Sequence, residues 1–327
     1  MLPFIIRRLL NLIPVFFGAT ILVFIIVQAA PGDFLDSKRL DPRTKPEEIH
    51  RLERRFGLDK PVLVQYGYWV ANLVHGDLGL SFAYDRPVSE VIPRPIKNSM
   101  VIVIGNVILL YLIAIPVGVY GATRQYSLGD KIVSITSYFF LGFPSFFLGL
   151  IVIYLLLQFK FATGTFLLPV ANMTSGNFDT MTPWQQFWDI AWHAVAPTLT
   201  LTIIQVASFA RFMRAQMLEF LSQDYIRTAR SKGLSERTVV YKHALRNAVT
   251  PFIATIGGVL PSLVSGAGFV EIVFNWPGIT PMVLSAINSQ DIYVFTGLTA
   301  ITLVLLIFGN IISDLLLALV DPRIRYS

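Results

Sequence analysis

The chain has no cysteine among its 327 residues, so no disulfide framework or thiolate metal site is encoded. Charge is also scarce. Charged side chains make up 14% of the residues, against about 25% in soluble domains, which excludes an ordinary water-facing globule. No Gly-x-x-x-x-Gly-Lys-Ser/Thr occurs, so the chain carries no P-loop for nucleotide phosphates. No His-Glu-x-x-His occurs either, and His50, His75, His193 and His243 are too scattered to share a metal or to serve a serine in an intramembrane protease. Ion-driven carriers normally keep ionisable residues in mid-membrane. Here only Glu271 and Asp314 come near, both at the ends of apolar runs, where pairing with basic neighbours or water is the expectation.

What the chain does have is long apolar runs. Hydrophobic residues reach 54% and the mean hydropathy is +0.63. Six windows lack any charge: 9–32, 98–123, 132–159, 190–210, 247–270 and 292–313. Each has about the length a helix needs to cross roughly 30 Å of hydrocarbon. The expectation is an all-α polytopic membrane protein with six transmembrane helices in one domain spanning 1–327. A seventh uncharged stretch, 161–178, is broken by Gly, Pro, Thr, Asn and Ser and reads as a loop. The first span follows Arg7 and Arg8 like a secretory signal, but its apolar core is too long and Gln28-Ala29-Ala30 lacks a small-x-small cleavage pattern, so it reads as an uncleaved anchor.

Lys and Arg in short loops set orientation. With the N-terminus inside, the inner loops hold Arg7 and Arg8, Arg124 and Lys131, eight basic residues from Arg211 to Arg246, and Arg323 and Arg325, whereas the two short outer loops hold only Lys160. Both termini are therefore expected in the cytoplasm. The long outer segment, 31–97, carries eleven basic and ten acidic residues between Asp33 and Lys97, a balance that predicts a small folded insertion. Pro46-Glu47-Glu48 opens a helix there and Gly57 closes it. Val62 to Leu73 predicts a second helix, whose Tyr66 and Trp69 serve packing or an interfacial belt ahead of ligand binding.

The most charged segment of the second half is DYIRTARSKGLSERTVVYKHALRN, Asp224 to Asn247. Ser222 and Asp224 can start a helix, Gly233 supplies a left-handed stop, and Ser235 caps a second helix with Glu236 in its first turn. On that second helix Val240, Ala244 and Ala248 share a face, and Lys242 and Arg246 point away from it. The expectation is a bent pair of short helices on the cytoplasmic side, sized for a groove on a partner. Two other readings remain at this point: a solvated loop whose charges only set topology, and a DNA-binding helix-turn-helix, although spans at both ends would hold such a helix flat on the bilayer. In the fifth span Gly258, Ser262 and Gly266 are spaced by four. They form a small-residue face for a pathway, for contact with a second subunit or for packing within this one, and Pro261 is expected to kink the helix.

The segment from Asp224 resembles the cytoplasmic coupling loop of inner-membrane permeases from binding-protein-dependent ABC importers. Its DY, RTAR, KGL and HALRNA match the dipeptide and oligopeptide permease family. Arg-Arg with Ile-Pro and then APGD at the first span, VFNWPGI at Val273 to Ile279, and DPRIRY at the C-terminus agree in order along nearly the whole chain. The family's Glu-Ala-Ala, three residues, Gly pattern falls on Arg227, Thr228, Ala229 and Gly233, and its later Leu-Pro on Leu245-Arg246.

The resemblance implies that a coupling loop, 218–250, docks an ATPase through Asp224, Tyr225, Arg227, Thr228, Ala229, Lys232, Gly233, Leu234, His243, Leu245, Arg246 and Asn247. It implies a multi-pass subunit of a prokaryotic inner membrane, in contact with lipid and not with nucleic acid, that is not itself an enzyme. Its partners would be a second related permease, two ABC ATPase subunits and an extracytoplasmic binding protein. The chain would bind no cofactor; ATP and Mg would be used by the ATPases. Short peptides are the implied cargo, with oligosaccharides, nickel complexes or glutathione as alternatives. A stand-alone channel is the competing class.

Overall fold

A computed structural model describes residues 2–29, 35, 39, 45–265 and 267–320. Gly266, the APGD motif and the C-terminal DPRIRY lie outside the described residues. Among those described, the only β pairing is an isolated bridge between Leu80 and Pro87, and the rest of the regular structure is helix. Among the described residues, four helices are long and apolar enough to cross a bilayer: Val88–Thr123, Ser145–Thr163, Pro183–Leu221 and Ile292–Leu315. Many large apolar side chains on these rods are exposed, among them Leu112 at 66% and Leu155 at 59%. Such surface is stable against lipid and not against water.

The first helix, α1 (Leu2–Ala29), runs through Pro14. Two insertion helices follow, α2 (Pro46–Phe56) and α3 (Val62–Leu73), with the bounds the sequence predicts. Gly57 closes α2 at a φ of 68°, and its amide donates back to the Arg54 carbonyl. Trp69 is 2% exposed and its indole N–H donates to the Leu78 carbonyl, while the Tyr66 hydroxyl meets Thr20 Oγ1 at 2.9 Å. The aromatic pair on α3 therefore serves packing. The insertion is also bonded to the far end of the chain, since Ser81 Oγ donates to the buried Asp291 carboxylate at 2.5 Å.

A one-turn helix α4 (Val88–Val91) leads into α5 (Pro93–Thr123). The 132–159 window does not form one helix. It splits into α6 (Leu128–Leu141) and α7 (Ser145–Thr163) at Gly142-Phe143-Pro144. Pro144 has no amide hydrogen and its ring disfavours helical geometry at Phe143, so the first helix ends before it and the next begins after it. Residues 164–182 form the loop expected of the seventh window, with one 3-10 turn at Phe178–Thr180.

Next comes α8 (Pro183–Leu221), started by Pro183 at its first position and by a reciprocal Thr182–Gln185 capping box. Its 39 residues give about 58 Å of rod at 1.5 Å per residue, well beyond the roughly 30 Å of hydrocarbon. Exposed Trp184, Trp188 and Trp192 mark one end. α5 packs along α8 more extensively than any other helix pair. Their approach is close at Gly118, where a Cβ would run into the Met213 side chain and the Ala210 carbonyl.

The 247–270 window also departs from a single span. It comprises α12 (Thr250–Thr255), a 3-10 turn at Ile256–Gly258 and α13 (Val259–Ser265), and α14 (Phe269–Val273) straddles its end. Pro261 cannot donate to the carbonyl of Gly257 four residues earlier, so the break at the glycine pair sits where the proline removes a bond. The chain closes with α15 (Ile279–Asn288) and α16 (Ile292–Val320).

Candidate coupling surface and membrane cavity

Between α8 and α12 the chain makes a bent pair of short helices. α9 (Asp224–Ser231) starts after Gln223, which is its cap residue. Ser222 instead ends α8, donating its hydroxyl back to the Glu219 carbonyl. Gly233 takes a φ of 75° and its amide donates to the Arg230 carbonyl, the left-handed turn that glycine adopts without Cβ strain. Ser235 then accepts the Thr238 amide and opens α10 (Glu236–Thr238). This short helix passes through a π turn, Val239–Ala244, into α11 (Leu245–Ala248). The wider turn lets the consecutive residues Val239 and Val240 both be buried, together with Ala244 and Ala248.

These four side chains, with Ile226 and Ala229 of α9, join Met213 and Met217 of α8 and Val119 of α5 in one apolar cluster. Ile226 and Val239 are 0% exposed, and burying each contributes about 2 kcal/mol. A freely solvated loop is therefore ruled out. The opposite face is open: Asp224, Tyr225, Arg227, Thr228, Lys232, Gly233, Leu234 and Arg246 are exposed, and His243, Leu245 and Asn247 are half-buried. Ala229 belongs to the buried face. Asn247 Nδ2 donates to the Tyr225 hydroxyl at 2.9 Å, tying the second helix to the first. Arg230 and Glu236 bridge the turn, and their hydrogen bonds hold the Glu236 carboxyl below its usual range and raise the Arg230 guanidinium further.

A second tie at this end escaped the sequence reading. Arg214 of α8 donates Nε to Asp130 Oδ1 at 2.8 Å and Nη2 to Oδ2 at 3.0 Å. That fork lowers the Asp130 carboxyl pKa although its burial opposes the shift. It fastens the start of α6 to α8 and lies against Gly121 of α5.

Further along the same rods is a cavity of about 410 Å³ among α5, α8, α12 and α13. Gly258 and Ser262, the small residues of the fifth window, line it with Asn106, Tyr111, Gln205 and Thr255. Asn106 and Gln205 are amides well inside two apolar windows, a signal present in the sequence and passed over in favour of the glycines. Asn106 Nδ2 donates to Gln205 Oε1 at 3.1 Å, and Tyr111 Oη meets Thr255 Oγ1 at 2.9 Å.

Glu271 corrects an expectation. It is 0% exposed, and the donors bonded to its carboxylate are neutral: Ser99 Oγ at 2.5 Å and the Ala267 amide at 2.9 Å on Oε1, and the Thr280 amide at 2.8 Å on Oε2. No basic partner is involved in these bonds. Around it Trp276 Nε1 donates to the Asn98 carbonyl and Asn98 Nδ2 to the Pro277 carbonyl. The VFNWPGI motif is thus the far wall of a carboxylate-centred joint with the start of α5.

Residues 114–326 match the family of binding-protein-dependent transport system inner membrane components, and residues 1–102 match the N-terminal model of the same transport system membrane component. The chain belongs to that family. This permease is 38% identical to the oligopeptide transport system permease protein AppB of Bacillus subtilis, over the full length of both chains. It is 34% identical to the dipeptide transport system permease protein DppB of Alkalihalophilus pseudofirmus and 33% identical to the glutathione transport system permease protein GsiC of Escherichia coli, again over the whole of each chain. The permease is a multi-pass inner-membrane subunit of an ABC importer, and ATP hydrolysis falls to separate subunits.

Proposed function

We propose that this permease forms half of the pathway of a peptide importer and that the face carrying Asp224, Tyr225, Arg227, Thr228, Lys232, Gly233, Leu234 and Arg246 docks an ABC ATPase. The observation that carries this reading is the two-sided nature of the bent helix pair. One face is welded into the core with Met213 and Met217, and the other is open, charged and ridged. A push on the open face is carried by α8 without slack. Gln205 lies twelve residues from Met217 on that helix, about 18 Å, so a tilt of the rod moves the cavity wall. Phe252 of α12 makes a second link, packing its ring 5.1 Å from Phe212 on the coupling side while Thr255, one turn on, lines the cavity. Rigid-body motion of this kind is how helices convert closure at one site into opening at another.

In this reading six segments cross the membrane, with α6–α7 as the bent third and α12–α13 as the broken fifth, and both termini are cytoplasmic. Non-helical backbone at membrane depth is tolerated where it lines a cavity, and the Ile256–Gly258 turn does so. The 31–97 insertion and the loop after α7 lie outside, facing a binding protein. A second related permease completes the pathway, with Gly258 and Ser262 at or near it, and two ATPases supply the energy with ATP and Mg. The relatives named for oligopeptide, dipeptide and glutathione transport all handle amide-linked chains, which favours short peptides as cargo. The test is purification of the tagged chain from its native membrane in mild detergent with mass spectrometry of what is retained. The reading expects a sister permease and P-loop ATPases; a chain recovered alone that conducts in liposomes would replace it with a channel.

A further inference from the structure

Two arginines one turn apart on α8 are treated differently by the fold. Arg214 is neutralised by the Asp130 fork, whereas Arg211 is exposed and its guanidinium has neither a carboxylate nor a hydrogen-bond partner among the described residues. What it meets is the ring of Tyr138 on α6, 5.2 Å from the centroid. That contact lies inside the rim of the apolar spans. The charge-free run 132–159 begins after Lys131, and Tyr138 stands seven residues beyond that lysine, about 10 Å along α6. Lys131, Ile135 and Tyr138 fall at i, i+4 and i+7 and share one exposed face, which Phe139 extends. A charged side chain at such a depth is costly unless it has a counter-charge. Among the described residues the chain supplies none.

The partner must come from outside, and the position of Arg211 narrows its chemistry. Six residues separate it from Gln205, which turns it about 120° around α8 from the cavity wall, so cargo in the cavity does not reach it. The end of α8 at Leu221 is ten residues further on, about 15 Å, so the docking face lies beyond it. What adjoins this end of the span is the headgroup layer. We propose that Arg211 and Lys131 bind the phosphate of an anionic phospholipid in the cytoplasmic leaflet, with the Tyr138 ring orienting the guanidinium and Ile135 and Phe139 receiving the acyl chains. The proposal rests on the importer reading only for the side of the membrane. A guanidinium presents parallel N–H donors that match two phosphate oxygens, and the apolar surface beside it accepts chains that free phosphate lacks. Phosphatidylglycerol brings a net negative charge to this site, whereas the choline of phosphatidylcholine cancels that of its phosphate. The site therefore selects headgroups by charge.

The test uses the full-length permease in mild detergent with the subunits it retains, and native mass spectrometry counts the lipid bound after titration with phosphatidylglycerol or with phosphatidylcholine. The wild type should bind phosphatidylglycerol several-fold more tightly. Arg211→Gln should lower that preference by about fivefold, the worth of one basic residue at an anionic membrane surface, and adding Lys131→Gln should lower it again. A merely structural defect would weaken both lipids alike and leave their ratio unchanged. Arg211→Lys keeps the charge and should recover most of the preference, while Arg237→Gln, which removes an exposed basic residue from the coupling helices, should leave it as in wild type. Glycerol phosphate, a headgroup without chains, should not displace the lipid. An unchanged ratio in Arg211→Gln overturns the site, and loss of a sister permease from that variant would assign the counter-charge to a carboxylate of that subunit instead. Displacement by glycerol phosphate overturns the assignment to lipid. A wild-type permease recovered without partner subunits counts against the importer reading and leaves the lipid ratio to be judged by itself.

Discussion

Arg230 grips Glu236 across the left-handed turn at Gly233 through two parallel bonds, Nη2 to Oε1 at 2.7 Å and Nε to Oε2 at 3.1 Å. Both side chains are substantially exposed, at 44% and 61%, so solvent screens the pair and its contribution to stability is at most about 1 kcal/mol. Its effect is on the angle between the two helices. Glu236→Gln should leave the melting temperature of the detergent-solubilised permease within a few degrees of wild type and lower the number of substrate molecules imported per ATP. An unchanged ratio would show that the clasp plays no part in coupling.

Gly233 is the pivot of the same turn. Proline requires a φ near −65° and has no amide to give the Arg230 carbonyl, whereas the native φ is 75°. Gly233→Pro should abolish transport-coupled ATP hydrolysis while the chain remains in the membrane at normal abundance. Normal uptake by this variant would refute the lever.

The Asp130–Arg214 fork gives a pH dependence with a defined sign. The Asp130 pKa is lowered on folding, so its contribution is fully present above the unfolded value near 3.9 and is lost as pH falls through the lower folded value. Asp130→Asn should flatten the acid limb of the stability curve below about pH 4. Thermal melts of wild type and variant across pH 3 to 7 measure it, and parallel curves would contradict the assignment.

At Glu271 three donors converge on a carboxylate. Glu271→Gln can keep one oxygen for Ser99 and Ala267, but it then presents an amide N–H to the Thr280 amide, donor against donor. The expected cost is about 1–3 kcal/mol, read as a lower melting temperature. A Glu271→Gln permease as stable as wild type would mean that the Thr280 amide does not depend on the Glu271 oxygen.

A Cβ at Gly258 would meet nothing within 4 Å, and the residue lines the cavity. Gly258→Leu should therefore fold normally and fill the space, blocking uptake while ATP hydrolysis continues. Undiminished uptake would move the pathway elsewhere.

Much of this was legible in the sequence where local chemistry decides. Gly57, Gly233 and Ser235 ended or began helices where expected, because left-handed glycines and serine caps act within a turn. Pro261 announced a break but not its placement at Ile256–Gly258, and Pro144 went unread inside a charge-free window because hydropathy counts proline without its missing amide. The site was less legible. Glu271 looked like a span-end charge awaiting a basic partner, since the donors it uses come from Ser99, Ala267 and Thr280, up to 172 residues away. The Asn106–Gln205 and Asp130–Arg214 pairs, separated by 99 and 84 residues, exist only once α5, α6 and α8 lie together.

The absence of cysteine makes the central claim directly measurable. Leu234, 40% exposed at the bend, can be replaced as L234C in an otherwise thiol-free permease and paired with single cysteines on the ATPase in the assembled importer. Oxidation should give a disulfide-linked permease–ATPase product whose yield changes with bound nucleotide. No product from L234C, with efficient cross-linking of the ATPase from a position in the 164–182 loop, would place the ATPase on the opposite side and contradict the account.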